Sequence, residues 1–155
     1  MADDATEVRP QTDAELLARF QNTKRRPTGS QTLGFEMVAV NQTERTVEVS
    51  FDARADLLLN PMKQVQGGYL CAMLDEAMSV ACMVASGMTH VGVTAEMKTT
   101  FYRPAMPGAI RGLGRVTRWG SRVAFTEGEL YDPEGRLLAK ATGTAIPTPF
   151  ARYKG

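Results

Sequence analysis

The longest apolar stretch of the chain, residues 67–87, predicts a buried helix. Residues 69–85 are mostly Ala, Leu, Met, Val and Cys, and a helix that is apolar on every face is normally buried. The carboxylates Asp75 and Glu76 nevertheless stand near its middle. A buried charge is costly unless it is paired, hydrogen-bonded or used in chemistry. The pattern therefore predicts either a satisfied polar contact or a reactive group on this helix.

Elsewhere the apolar positions repeat mainly with a period of two, which indicates β-strands. Val47, Val49 and Phe51 alternate with polar residues over 46–53 and give the clearest case. The other predicted strands are 33–41, 92–103, 109–119, 121–131 and 136–146. Glycines inside two of these strands indicate close approach of another backbone, that of the long helix. The order of elements predicts an α+β fold in which an antiparallel sheet of about six strands wraps around one buried helix.

The first thirty residues predict a short helix and a connecting segment. Thr12 and Glu15 form a capping box, which is typical of a helix start, and the following apolar spacing extends the helix over 12–22. Residues 24–31 are interpreted as a linker. The predicted domain organisation is an N-terminal helix and linker (1–30), a single domain (31–147) and a C-terminal tail (148–155).

Charge and composition exclude several partners. With 18 Lys and Arg against 17 Asp and Glu, the net charge is +1, so no basic surface indicates nucleic-acid binding. The first eight residues are acidic and polar and show no secretory signal. The apolar helix is long enough to span a membrane, but two carboxylates at its centre would be costly there. We expect neither nucleic acid nor a membrane as a partner.

Both cysteines, Cys71 and Cys82, lie on the long helix. Eleven residues of helix separate them by roughly 16 Å, which is beyond disulfide reach. We interpret them as small buried hydrophobic residues in a reducing compartment and expect a cytoplasmic protein. The only histidine, His90, follows the helix, so a catalytic cysteine is not expected. Without a histidine cluster or a Cys-x-x-Cys pair, no metal or other cofactor is implied.

Two glycines, Gly67 and Gly68, stand where the long helix starts. The first N–H groups of a helix have no intrahelical partner and lie at the positive end of its dipole, so they can bind an oxyanion. Glycine also lets another molecule approach the backbone. A turn that simply requires glycine is the plainer alternative.

The spacing around these glycines resembles that of hotdog-fold acyl-CoA thioesterases of the phenylacetic-acid-degradation (PaaI) type. In that family an Asn precedes a His-Gly-Gly motif by six positions, and an acidic residue follows the His by nine. Here Asn60 lies six residues before Gln66, and Asp75 lies nine after it. The later segments that look like the family's strands are 93–105, 120–125 and 139–144. The first of these carries Thr94 where the family has Ser or Thr.

The resemblance implies hydrolysis of an acyl-CoA thioester. It assigns the carbonyl oxygen to the N–H of Gly67 and makes Asp75 the nucleophile or general base, helped by Asn60 and Thr94. The chain departs from the family at Gln66, which replaces the His and cannot act as a base at neutral pH. This departure keeps an alternative open, an acyl-CoA binding or sensing protein with little turnover.

Plainer roles remain for some of these residues. Asn60 is equally suited to cap the turn before Pro61, and Thr94 to be an ordinary strand residue. Glu76 lies about 100° around the helix from Asp75, so the two cannot share one pocket face. We interpret Glu76 as a paired or interfacial carboxylate.

The distance between Gly67 and Asp75 predicts a homodimer. Eight residues of helix place them roughly 12 Å apart along the axis, whereas a general base must lie within about 3 Å of its proton or one water away. Two antiparallel helices from two subunits could bring these groups together, with two sites per dimer; pairing of dimers into a tetramer stays open. The candidates for substrate and CoA phosphate binding are Gly68, Arg103, Arg118, Arg122 and Arg152.

Overall fold

The computed structural model describes residues 11–153, and for residues 152 and 153 it describes the backbone alone. The features predicted for the first eight residues lie outside this range. The elements, in chain order, are α1 (Asp13–Gln21), α2 (Thr28–Thr32), β1 (Glu36–Asn41), β2 (Thr46–Ala53), α3 (Gly67–Ala85), β3 (His90–Phe101), β4 (Gly108–Trp119), β5 (Ala124–Tyr131), β6 (Leu137–Pro149) and a 3-10 helix (Phe150–Tyr153).

The six strands form one antiparallel sheet in the order β1-β2-β4-β5-β6-β3, and α3 packs against it. This confirms the predicted α+β architecture and the hotdog fold that the resemblance implies. Among the described residues, β3 stands at one edge of the sheet and pairs with β6 alone. β6 continues to Pro149, beyond the predicted end at residue 146, because its last residues pair with the start of β3.

The interpretation of residues 24–31 as a linker was wrong in part, because α2 begins at Thr28. The helix has five residues, and its N-cap, Pro27, makes no side-chain capping bond. Its composition has little helix propensity. The contact that ties it to the fold is tertiary, since buried Ser30 donates a hydrogen bond of 2.6 Å to Glu76 on α3.

α3 is the core helix of the sheet. By length and composition it could cross a membrane, yet half of its most apolar window is buried inside the protein, and it contacts five of the six strands. Its buried side chains are Leu70, Met73, Leu74, Ala77, Met78, Val80, Ala81, Cys82 and Val84.

Glycines in the sheet let α3 lie close to it. A Cβ on Gly114 would overlap the carbonyl oxygen of Ala77, and one on Gly128 would lie 3.1 Å from Met78. Gly114 and Gly128 are paired across β4 and β5, so both strands leave room for the helix at the same level of the sheet. The predicted close approach of the helix backbone is confirmed at Gly114, whereas the nearest helix atoms to Gly128 belong to the side chains of Met78 and Leu74. The missing side chain of Gly112 instead leaves space for the side chain of Val49, which lies opposite it on β2.

Gly114→Ala is expected to lower the free energy of unfolding by about 1–3 kcal/mol, because the new methyl group must push the helix backbone away. Gly29→Ala is the matched control, since a Cβ there meets nothing within 4 Å and the residue is helical. We expect this control to be neutral or slightly stabilising. Urea unfolding followed by circular dichroism measures both variants. Equal stability of the two would contradict the close packing at Gly114.

Candidate active site

Gln66 caps the start of α3 in a way that leaves one backbone donor free. Its Oε1 accepts a hydrogen bond of 2.9 Å from the N–H of Gly68. Within residues 11–153 the N–H of Gly67 donates no hydrogen bond. Gln is not among the preferred N-cap residues. This cap geometry requires glycine two residues later, because a Cβ on Gly68 would lie 2.8 Å from Gln66 Oε1. The helix thus presents one open donor at its positive end.

Asn60 holds the loop that leads into this helix start. Its Oδ1 accepts hydrogen bonds from the N–H groups of Met62, at 3.0 Å, and Gln64, at 3.1 Å. The loop is fixed further along, where the N–H of Gln66 donates to the carbonyl of Leu58 at 2.9 Å. The capping role considered for Asn60 is therefore present in the structure, and the side-chain NH2 makes no hydrogen bond to the described part of the chain.

Asp75 is half-buried two turns further along α3, on the side next to β3. Its Oδ1 accepts a hydrogen bond of 2.5 Å from the hydroxyl of Thr94. One turn nearer the helix start, the thiol of Cys71 lies 3.5 Å from the hydroxyl of Thr99. A row of polar groups therefore runs along the boundary between α3 and β3. The structure thus brings the candidates Asp75 and Thr94 into contact.

A β-bulge in β3 sets which side chains of that strand meet the helix. The ladder to β6 shifts between Thr94 and Glu96, which leaves Ala95 as the extra residue. Before the bulge Thr94 faces α3, and after it Met97 and Thr99 face inward while Glu96 is exposed. With strict alternation, Thr94 and Met97 would lie on opposite faces. Bulges are frequent next to active sites, where they redirect a side chain.

Two other ionisable side chains of α3, Glu76 and Cys82, are paired or buried. Glu76 accepts its hydrogen bond from Ser30, so it is paired on a different side of the helix from Thr94. Burial, with the negative charge of Asp75 as a smaller contribution, raises the pKa of Cys82 to about 11. The Cys82 thiol therefore stays protonated at neutral pH and is not a nucleophile.

The structure does not gather the candidate arginines into one cluster within a chain. Arg103 shares a groove with Gly67 and donates a hydrogen bond to the carbonyl of Leu137, at the start of β6. Arg118 and Arg122 are exposed near the β4–β5 turn, which lies beside the far end of β6. Arg152 lies in the final 3-10 helix, and its side chain is outside what the structure describes.

Exposed apolar side chains lie on the segments that meet beside the start of α3. The loop before α3 and the segment after β3 are joined by a hydrogen bond from Val65 N–H to the carbonyl of Ala105. The large apolar residues exposed on these two segments and at the end of β3 are Leu57, Met62, Phe101, Tyr102 and Met106. A concentration of exposed apolar surface beside a free backbone donor indicates a binding site. The sequence pattern did not single out this group.

The fold and the groups along α3 define a protein of the hotdog class. Residues 63–139 match the sequence profile of the thioesterase superfamily. A Thermoplasma volcanium protein provisionally named an esterase is 30% identical over 112 residues, which cover 72% of this chain and 81% of that protein. The chain belongs to the thioesterase superfamily.

Solved structures agree with this assignment. A phenylacetic acid degradation-related protein from Ralstonia eutropha JMP134 superposes with a TM-score of 0.74 at 33% identity, over 84% of this chain and 98% of that one. The predicted resemblance to the PaaI type is thereby confirmed. The protein smu.793 from Streptococcus mutans UA159, solved bound to acetyl-CoA, shares the fold with a TM-score of 0.64 at 22% identity, over 74% of this chain and 89% of that one.

Proposed function

We propose that the protein hydrolyses an acyl-CoA thioester to the free acid and CoA. The observation that carries the proposal is the N–H of Gly67, a donor without an acceptor in the described residues, on the helix that also carries Asp75. A preorganised donor of this kind stabilises the negative charge that develops on a thioester carbonyl oxygen. Membership of the thioesterase superfamily supports the reaction, and the acetyl-CoA bound to a relative of the same fold supports the CoA part of the substrate.

Asp75 supplies the base or the nucleophile in this proposal. The hydroxyl of Thr94 donates to Oδ1, and Oδ2 makes no hydrogen bond within residues 11–153. In one route Oδ2 takes a proton from water while the water oxygen attacks the carbonyl carbon; in the other Oδ2 attacks directly and water then hydrolyses the anhydride. In both routes the C–S bond breaks, and the sulfur of CoA leaves as a thiolate that takes up a proton.

The reacting carbonyl needs groups from two subunits. Gly67 and Asp75 are separated by eight residues of the continuous helix α3, roughly 12 Å along its axis. A thioester carbonyl on Gly67 is therefore out of reach of Asp75 in the same chain. We propose that Gly67 of one protomer acts with Asp75 of its partner, which gives two equivalent sites in a two-fold dimer.

The shared site also gives the candidate arginines a role in binding CoA. In an antiparallel pair, Arg103 of the protomer that supplies Gly67 approaches Arg118 and Arg122 of the protomer that supplies Asp75. These positive groups are placed to meet the phosphates of CoA. Arg118 and Arg122 make no ion pair within the described residues, so their charges are free for this role. Gly68 contributes space rather than a donor, because its N–H is bound to Gln66.

The second candidate function is acyl-CoA binding with little turnover. It is favoured by Gln66, whose side chain is not a base and whose oxygen is committed to the cap. The two functions are separated by giving the full chain short, medium, long and aryl acyl-CoAs. We expect CoA release, followed by a thiol-reactive dye, from at least one of them. The alternative outcome is that calorimetry shows acyl-CoA binding while the wild-type chain releases CoA no faster than an Asp75→Asn variant. That outcome would support binding in place of hydrolysis.

Gln66→Ala is expected to lower kcat by about 10-fold or less, because the Gly67 donor remains when the cap is lost. Gln66→His is expected to be tolerated, since the side chain at this position orients the loop. Losing an oxyanion donor outright costs about 10²–10³ in kcat. Steady-state kinetics with the best acyl-CoA distinguishes these ranges. A Gln66→Ala defect above about 10³-fold, in a protein that still binds acyl-CoA, would show that the amide itself contacts the reacting groups.

A further inference from the structure

We propose that the cavity between α1, α2 and α3 binds a small organic amine, with its ammonium group on Glu76 and its apolar body against aromatic and methionine side chains. The cavity has a volume of about 470 Å³, which is within the range of small-molecule sites. It lies between residues 19–30, α3 and Phe150, and its lining includes neither Gly67 nor Asp75. An amine bound there occupies a site separate from the acyl-CoA site.

Glu76 lines this cavity without a cationic partner. Its Oε1 accepts a hydrogen bond of 2.6 Å from Ser30, which is buried. Within residues 11–153 its Oε2 makes no hydrogen bond, and neither oxygen makes an ion pair. Glu76 is half-buried, and a charge taken out of water is costly unless it is paired. A neutral hydroxyl does not cancel the negative charge, whereas a bound ammonium ion does.

The walls of the cavity fit the apolar part of such a ligand. Val80 and Met83 follow Glu76 on α3 by four and seven positions, so all three lie on the same face of the helix. Three aromatic rings and a second methionine also line the cavity: Phe20, Phe35, Phe150 and Met88. Aromatic rings attract an ammonium ion placed over their faces, and a flexible, polarisable thioether adapts to the shape of a ligand. This lining favours an amine with an aromatic or aliphatic body.

Two arginines line the same cavity, and neither is paired with Glu76. Both terminal nitrogens of Arg26 donate to the carboxylate of Glu36, at 2.6 and 2.8 Å, so this pair is neutral as a whole. Arg19 is exposed and donates to the side chain of Gln11 at 3.2 Å. Water and salt screen an exposed charge more than a partly buried one. The half-buried carboxylate of Glu76 therefore decides which sign of charge the cavity accepts.

Titration of the full chain with 2-phenylethylamine tests the site. Methionine methyl groups labelled with ¹³C report on the cavity by NMR, and the Met83→Leu and Met88→Leu variants assign the two signals. We expect both signals to shift to saturation with a Kd of about 1 mM or lower. Absence of saturable shifts at both methionines up to about 10 mM amine would overturn the site.

Two ligands of the same shape test the charge preference on the unmodified chain. Propylbenzene replaces the ammonium group by a methyl group, and 3-phenylpropanoate replaces it by a carboxylate. Each is expected to bind at least about tenfold more weakly than 2-phenylethylamine, because each loses the hydrogen bond between charged groups. Equal affinity for the amine and for propylbenzene would show a cavity that selects an apolar shape, such as an acyl chain, and would overturn the proposal.

Glu76→Gln is expected to weaken amine binding at least about tenfold, because it removes the charge. Its amide oxygen can still accept from Ser30, and thermal unfolding followed by circular dichroism checks the fold. Asp75→Asn is the matched control, since it makes the same change at the neighbouring position, on the side of α3 next to β3. We expect it to leave the amine affinity unchanged. Equal amine affinity in wild type and Glu76→Gln would remove Glu76 from the site.

Acyl-CoA hydrolysis by the same samples separates this inference from the proposed function. A chain that releases CoA from acyl-CoA but binds the amine no better than its two isosteres would refute the amine site alone. A chain that binds the amine selectively through Glu76 but releases no CoA would keep the amine site and refute hydrolysis.

Discussion

Asp75→Asn is expected to lower kcat by at least about 100-fold, or about 2.7 kcal/mol of transition-state stabilisation. The amide can keep an oxygen toward the hydroxyl of Thr94, which donates to Oδ1 in the wild type. It can neither take a proton from water nor attack a carbonyl carbon at neutral pH. The change therefore removes the chemistry while preserving the shape and the local hydrogen bond. Steady-state hydrolysis of the best acyl-CoA gives the measurement.

Glu76→Gln is the matched control for Asp75→Asn. It makes the same carboxylate-to-amide change at the next position of α3, where the side chain accepts from Ser30 instead of facing β3. We expect its kcat to stay within a few-fold of wild type. Wild-type turnover in Asp75→Asn would remove Asp75 from the reaction. Equal losses in both variants would point to a structural effect on the helix.

Gly67→Pro is expected to lower kcat by about 10²–10³-fold, because it deletes the N–H that we assign to the carbonyl oxygen. Proline is well accepted at the first position of a helix. The preceding Gln66 already has φ −66° and ψ 136°, which suits a residue before proline. Gly67→Ala is the control, since it adds a Cβ against Phe101 but retains the N–H. Similar kcat values for the two variants would show that side-chain crowding, not the donor, matters.

The same variant tests whether the site is shared. Asp75→Ala and Gly67→Pro chains are each expected to be inactive alone and to regain activity when mixed. A mixed dimer holds one site with both wild-type groups, so random exchange should restore about a quarter of wild-type activity. Native mass spectrometry confirms that subunits have exchanged. No recovery among folded, exchanged chains would show that Gly67 and Asp75 do not act across the interface.

The long helix and the strands were predictable because their signals are local. The long, mostly apolar run that ends at Gly87, and the alternation in β2, each specify one element from its own residues. The resemblance to the family selected Asp75 and Thr94 as candidates, and the structure shows a hydrogen bond between them. The roles assigned to these residues stay predictions.

Features that depend on distant partners were not predictable from the pattern. The bulge at Ala95 depends on how β3 pairs with β6, and alternation alone gives no sign of it. The Gln66 cap was missed because Gln is a rare capping residue. α2 was missed because its five residues are anchored by the contact between Ser30 and Glu76, which are 46 positions apart in the chain.

The close packing of α3 against Gly114 and Gly128 affects how the protein tolerates amino-acid substitutions. Most helices are separated from a sheet by a layer of side chains. Part of α3 instead contacts the sheet through its main chain, at Ala77 against Gly114. The height of Asp75 above the strands is therefore fixed by atoms that every amino acid has in common. Substitutions elsewhere in the core can lower stability while the spacing between the Asp75 carboxylate and β3 stays the same. Robustness of the site and robustness of the fold are, in this protein, separable properties.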